Sequence, residues 1–131
     1  MNKLENKVAY ITGGSKGIGY GIAKILLDNG MKVAISSRSL EAAKQAAATL
    51  CEDVSRMLAV ESDVSSLTSE TNAVNDVLNY FGQLDVLVAN AGVGHFASIE
   101  TLTEAEWKST IDTNLTGVFN SVKASMDALK Q

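Results

Sequence analysis

Proline does not occur among the 131 residues, although average usage of about 5% would place about six in a chain of this length. The deficit is what absence of an ordinarily proline-bearing segment would leave, with chance as the rival explanation, and it has weight only beside other signs of missing sequence. Cys51 is the single cysteine. That count excludes an internal disulfide and any cysteine-based zinc site and suits a reducing compartment, with Cys51 itself a small apolar packing residue. No metal is expected. No apolar run approaches the length of a membrane span, and the first residues, MNKLENK, form no hydrophobic signal core, so the expectation is a cytoplasmic protein with no membrane contact. Basic clusters are lacking too: 11 Lys and Arg stand against 15 Asp and Glu, for a net charge of −4. With no basic stripe interleaved with aromatics, nucleic acid is excluded as a partner.

What is present suffices for one core. A hydrophobic content of 46% over 131 residues falls in the usual range for a single domain, about 100–150 residues. Four apolar runs, KVAYIT (7–12), KVAISS (32–37), RMLAVES (56–62) and LDVLVAN (84–90), alternate with helical stretches. That alternation predicts parallel strands joined by crossover helices. The runs are almost continuously apolar, as in strands covered on both faces.

The helical stretches show their own periodicity. Ile18, Ile22, Ile25 and Leu26 recur at i, i+4, i+7 and i+8, with Asn29-Gly30 as the stop, which predicts an amphipathic helix. A second starts from Ser39 as N-cap and carries Leu40, Ala43, Ala47 and Leu50; a third carries Leu67, Val74, Leu78 and Phe81. The last opens on a capping box, Thr103 to Glu106, and continues with Ile111, Leu115, Val118, Phe119, Val122, Met126 and Leu129 along one stripe. Leaving that stripe wet forfeits about 25 cal/mol per Å², so it is expected to cover a sheet face, another helix or a second subunit. Trp107 and Tyr80 are expected to pack on apolar surface.

Between the first strand and the first helix stands TGGSKGIG, Thr12 to Gly19. Gly13, Gly17 and Gly19 free the backbone to turn sharply, to approach a pyrophosphate and to let the helix pack closely. The helix N-terminus, with unpaired N–H groups and roughly half a positive charge, then faces the phosphates. Because the glycines follow a strand and open a periodic helix, they predict a dinucleotide site.

The spacing T-G-x-x-x-G-x-G resembles that of the short-chain dehydrogenase/reductase family. The resemblance continues through Asp63, the triplet Asn90-Ala91-Gly92 after the fourth strand, and Asn114 within NLTG (114–117). It implies a doubly wound Rossmann-type α/β parallel sheet, incomplete, with strand order 3-2-1-4, forming one dinucleotide-binding domain over 1–131. It implies an oxidoreductase that moves hydride between NAD(H) or NADP(H) and a small carbonyl or alcohol substrate. Thr12 and Asn90 would tie the first and fourth strands beside the cofactor, Asp63 would bond the adenine amino group, and Gly92 would border the ribose. The residues expected at the cofactor are Thr12, Gly13, Ser15, Lys16, Gly17, Ile18, Gly19, Ser37, Arg38, Asp63, Val64, Asn90, Ala91 and Gly92. For Asp63 a plain turn or cap is the competing role, since DVSS is a good helix start.

In NAD-binding Rossmann domains an acidic residue about 20 positions beyond the glycines binds the adenosine ribose. Here that place reads Ser36-Ser37-Arg38-Ser39. No carboxylate repels a 2′-phosphate, and Arg38 and Lys16 offer positive charge, so NADP(H) is preferred over NAD(H).

Hydride delivery to a carbonyl needs a positioned proton donor, a contribution of about 10²- to 10⁴-fold. The family's Tyr-x-x-x-Lys pair, its Ser and its Asn supply this; Asn114 matches the Asn, and the rest are expected beyond it and are not found. Tyr20 and Lys24 have the spacing but sit on the glycine-loop helix, the wrong element. His95, the only histidine, lies where the family lines its substrate mouth, and substrate contact and plain solvation both stay open. The chain is therefore expected to be the cofactor-binding half of such an enzyme, inactive alone. The alternatives are a non-catalytic nucleotide-binding or interaction module and a split enzyme. LDVLVAN would be an exposed apolar edge, favouring self-association, and homo-oligomerisation through the last helix is expected.

Overall fold

Each apolar run contributes one strand to a four-stranded parallel sheet in the computed structural model, which describes residues 2–131. The strands are β1 (Val8–Ile11), β2 (Lys32–Ser37), β3 (Met57–Glu61) and β4 (Val86–Val88), in the order β3-β2-β1-β4. Five helices follow or join them: α1 (Gly17–Asp28), α2 (Leu40–Leu50), α3 (Leu67–Phe81), α4 (Glu104–Ile111) and α5 (Gly117–Leu129), the last two joined by a π-helical turn at Asp112–Thr116. The order is the one that right-handed crossovers impose on such a chain, and it places the carboxyl ends of β1 and β4 side by side at the start of α1.

Alternation along β1 and β2 builds two cores. Ala9 and Ile11 pair with Val33 and Ile35 on the face covered by Ala23 and Leu27 of α1 and Ala46 of α2. Val8, Tyr10 and Ala34 face the other way, against Ala73, Val74 and Val77 of α3. Period-two geometry assigns successive residues to opposite faces, and every residue of β1 is buried. Helix ends match their caps: Ser39 Oγ accepts the Ala42 N–H at 3.2 Å, and Ser66 Oγ accepts that of Ser69 at 3.2 Å. Thr103 and Glu106 close a full capping box, and α3 stops at Gly82 with φ +81°.

Four expectations are corrected. In α1 the buried positions are Gly19, Ala23 and Leu27, while Ile18 and Ile25 are exposed. Small residues win the sheet-facing positions because Gly19 lies so close to the β1–α1 turn that a larger face has no room. The last stretch is not one continuous α-helix with a covered stripe. The π turn re-phases it, and α5 buries Gly117, Asn120, Ser121 and Ser125. Leu115, Val118, Phe119, Val122 and Met126 face solvent, Phe119 at 60% exposure. Trp107 is 59% exposed on α4, which buries no residue, and Tyr80 is half-exposed, packed edge-to-face on Phe81 at 4.9 Å. The edge strand is shorter than the LDVLVAN run, because Leu84 turns into the core.

Candidate dinucleotide site

Thr12 leaves β1 buried, and its Oγ1 accepts the N–H groups of both Asn90 and Ala91 at 3.0 Å. The Asn90 amide returns the tie, donating from Nδ2 to the carbonyls of Thr12 at 3.2 Å and Gly13 at 3.1 Å. These four bonds lace the ends of β1 and β4 together and hold the glycine turn open above them.

Gly13 has φ +66°, and a Cβ there would stand 2.8 Å from Ala91 Cα. Only glycine suits that left-handed, crowded position. Gly19 lacks a side chain for a different reason: its Cβ would meet Asn90 Nδ2 at 2.5 Å and the Gly13 carbonyl at 2.6 Å. The first turn of α1 is thereby pressed onto the strand ends. Lys16 is the N-cap and gives no side-chain bond to the helix, and the first turn has no acidic residue. The N–H groups of Gly17, Ile18 and Gly19 consequently lack intrahelical acceptors. They present a positive helix end with nothing of the chain's own to neutralise it.

A groove of about 850 Å³ runs past this end. It is walled by Gly13, Ser15, Lys16, Gly17 and Ile18 on one side, by Ser37 and Arg38 after β2, and by Asp63 and Val64 after β3. Asn90, Ala91 and Gly92 close it after β4. Twelve of the sequence-predicted residues thus come together, and Thr12 and Gly19 support them from behind. The groove adds Ser36, Ser39 and His95, which the sequence reading named without placing them at the cofactor, and Ala42, Ser62, Val93, Gly94 and Thr113, which it missed.

Arg38 and Asp63 also border an adjoining recess of about 350 Å³ toward α4. Arg38 makes no ion pair; among the described residues the one ion pair is Lys108–Asp112, exposed on α4 and the π turn. Asp63 Oδ1 accepts from Ser65 N–H at 3.0 Å and Ser65 Oγ at 2.7 Å. Asp63 therefore does form the turn that its sequence context suggested, while also lining the groove; the N-cap of α3 is Ser66.

Asn114 sits in the π turn, where its Oδ1 accepts the Val93 N–H and its Nδ2 donates to the Val93 carbonyl, both at 2.8 Å. That two-point clamp fixes the segment after Gly92. His95 Nδ1 lies 3.1 Å from Thr110 Oγ1 of α4, so the groove mouth is tied to the same helical unit. Tyr20 bonds Thr49 Oγ1 of α2 at 2.8 Å and lies outside the groove lining, consistent with a packing role.

A short chain dehydrogenase family model matches residues 7–131. The chain belongs to the short-chain dehydrogenase family. It is 40% identical over 126 residues to an uncharacterised oxidoreductase of Methylorubrum extorquens, covering 95% of this chain and 51% of that protein. It is equally 40% identical over 126 residues to a 3-oxoacyl-(acyl-carrier-protein) reductase of Chlamydia muridarum, with the same coverage. The chain spans about half the length of the curated relatives it matches. Among solved structures, a 3-ketoacyl-(acyl-carrier-protein) reductase of Brucella melitensis complexed with NADH superposes with a TM-score of 0.91 at 34% identity. The match covers 98% of this chain and 52% of that one. An alcohol dehydrogenase of Thermococcus sibiricus complexed with 5-hydroxy-NADP gives 0.89 at 40% identity, over 96% and 54%. The short-chain dehydrogenase fold, with its strand order 3-2-1-4, is thus the fold of this chain. Among the described residues no helix is long and apolar enough to cross a membrane.

Proposed function

We propose that this chain forms the cofactor-binding half of a short-chain oxidoreductase that prefers NADP(H) and acts on a small carbonyl or alcohol substrate. The observation that carries the reading is the unneutralised first turn of α1 opening on the groove. Unpaired amides at Gly17, Ile18 and Gly19, no acidic residue in that turn, and Ser15 beside it suit a pyrophosphate. The donor set therefore fits a dinucleotide.

Arg38 holds the adenosine 2′-phosphate. It stands at the groove with no carboxylate paired to it, and its planar fork suits bidentate contact with phosphate oxygens. Lys16 adds charge from the opposite wall. Asp63 takes the adenine amino group, and Ala91 and Gly92 border the ribose. When bound, the nicotinamide supplies or accepts the hydride. Asn114 serves that step by positioning: with both amide atoms spent on Val93, it sets the backbone of the segment that runs from Gly92 to His95. Two chains associate through the exposed face of α5.

Arg38→Asp should weaken NADPH binding at least tenfold more than NADH binding, since it replaces a charge-assisted pair by repulsion worth more than about 1.4 kcal/mol. Fluorescence titration of both nucleotides against both chains measures this. Equal losses for the two nucleotides would remove the 2′-phosphate assignment.

A further inference from the structure

Glu70 of α3 is fully buried and forms no ion pair among the described residues. An uncompensated buried carboxylate is costly, and an apolar residue of similar volume would pack there more cheaply. Its surroundings are instead built from hydroxyls. Tyr10 of β1 donates to Oε2 at 2.7 Å, Ser62 donates to the same oxygen at 2.6 Å, and Ser121 of α5 donates to Oε1 at 2.7 Å. Burial raises the Tyr10 phenol well above its ordinary range, with the Glu70 charge adding to it, so Tyr10 stays a donor.

Counting protons orients the rest of the cluster. Ser62 has one hydroxyl proton and gives it to Glu70. Ser69 Oγ, 3.2 Å from Ser62 Oγ, must then donate to Ser62. Ser69 Oγ in turn accepts the backbone N–H of Asp63 at 2.9 Å. A directed chain therefore runs from the Asp63 main chain through Ser69 and Ser62 to the carboxylate. Ser62, Asp63 and Val64 form one wall of the groove. A second bond, Asn120 Nδ2 to the Val64 carbonyl at 2.9 Å, pins the same wall to α5.

We propose that Glu70 is a positioning residue for the adenosine end of the nucleotide site, setting the Ser62–Val64 wall, and with it the Asp63 carboxylate, through the Ser69–Ser62 chain. The inference rests on the reading of Asp63 as the adenine contact. The carboxylate draws every hydroxyl proton of the cluster inward, which leaves one hydrogen-bond arrangement where neutral hydroxyls alone would have several. Glutamine can keep that arrangement: its carbonyl accepts from Tyr10 and Ser62, and its NH₂ donates to Ser121, whose proton then goes to the Gly117 carbonyl, 2.9 Å away.

The test is a double-mutant cycle read by calorimetric titration of the full chain with 2′,5′-ADP. Glu70→Leu is expected to weaken binding about tenfold, the loss of about one well-made buried hydrogen bond in placement of the wall. In an Asp63→Ala background the same change should cost less than about twofold, because the group being positioned is gone. Glu70→Gln should restore affinity to within about threefold of the unaltered chain. Should Glu70→Leu fail to fold, Ser69→Ala cuts the chain at its outer end with the carboxylate still satisfied, and should show the same dependence on Asp63. Equal losses with and without Asp63, or full affinity in folded Glu70→Leu or Ser69→Ala, would overturn the positioning role while leaving nucleotide binding intact. An unaltered chain that fails to bind 2′,5′-ADP would overturn both that role and the function proposed above.

Discussion

At the level of single residues, the site is made by a few positions where one atom more or less decides the geometry. A Cβ on Gly13 meets Ala91 at a φ that L residues resist, so Gly13→Ala should destabilise the chain by about 1–2 kcal/mol or more and abolish nucleotide binding in whatever still folds. Chemical denaturation with and without NADP⁺ measures both effects. Tyr10 gives a pH signature. Its phenol is held above its ordinary range by burial first and by Glu70 second. The unfolded chain loses this proton from about pH 10 upward while the folded chain keeps it, so stability present below that value falls as pH rises further. Tyr10→Phe should flatten the alkaline limb of a stability–pH curve, and an unchanged limb would remove Tyr10 as its cause. The glycines were legible in the sequence because a turn between strand and helix is local, and the Thr12–Asn90 tie, which spans 77 to 79 positions, only through the family resemblance. Glu70, Ser121 and Asn120 were not. A polar residue on a helix reads as a solvated one until a partner from a distant segment is known, and the partners here lie 51 to 60 positions away.

Among the elements, strands were read correctly and helix faces less well, for a physical reason. The two central strands, β1 and β2, are buried on both sides, so apolar content alone marks them and no face need be chosen, whereas β3 and β4 at the sheet edges are only partly covered. A helix must choose, and in α1 and α5 the buried face is the one with the smallest residues, not the most apolar. Close approach to the sheet in α1 and internal hydrogen bonds in α5 outweigh apolar area on the opposite side. The cap of α4 was legible from Thr103 and Glu106 alone. Thr103→Ala should cost about 1 kcal/mol of local stability. The Glu106 carboxyl is held below its usual range by the Thr103 hydroxyl and then by the Thr103 N–H. Its support of α4 is therefore present above the ordinary glutamate value and lost as pH falls through the lowered one. Amide protection factors in the first turn of α4, which correct for the slower intrinsic exchange at low pH, should fall on acidification, and should be low at every pH in Thr103→Ala.

For the molecule as a whole, the strand order and the two-sided core followed from alternation of runs and the handedness of crossovers, whereas the outer surface did not. The solvent-facing side of α5 with Val118, Phe119, Val122 and Met126, together with β4 at the sheet edge, is expected to drive self-association. Sedimentation should show a dimer or larger species, and Phe119→Asp should shift it toward monomer while leaving intrinsic stability within about 0.5 kcal/mol, as for other exposed positions. A monodisperse monomer of the unaltered chain would contradict this. The central claim is narrower: phosphate rests on the main-chain amides that open α1. Titrating an isotope-labelled chain with NADP⁺ and following its amide resonances tests it most directly. Saturable shifts are expected, largest at Gly17, Ile18 and Gly19 and extending to Arg38 and Asp63. Binding that leaves those amides unmoved, or that centres on the cleft between α2 and α3 lined by Leu40, Lys44 and Tyr80, would contradict it.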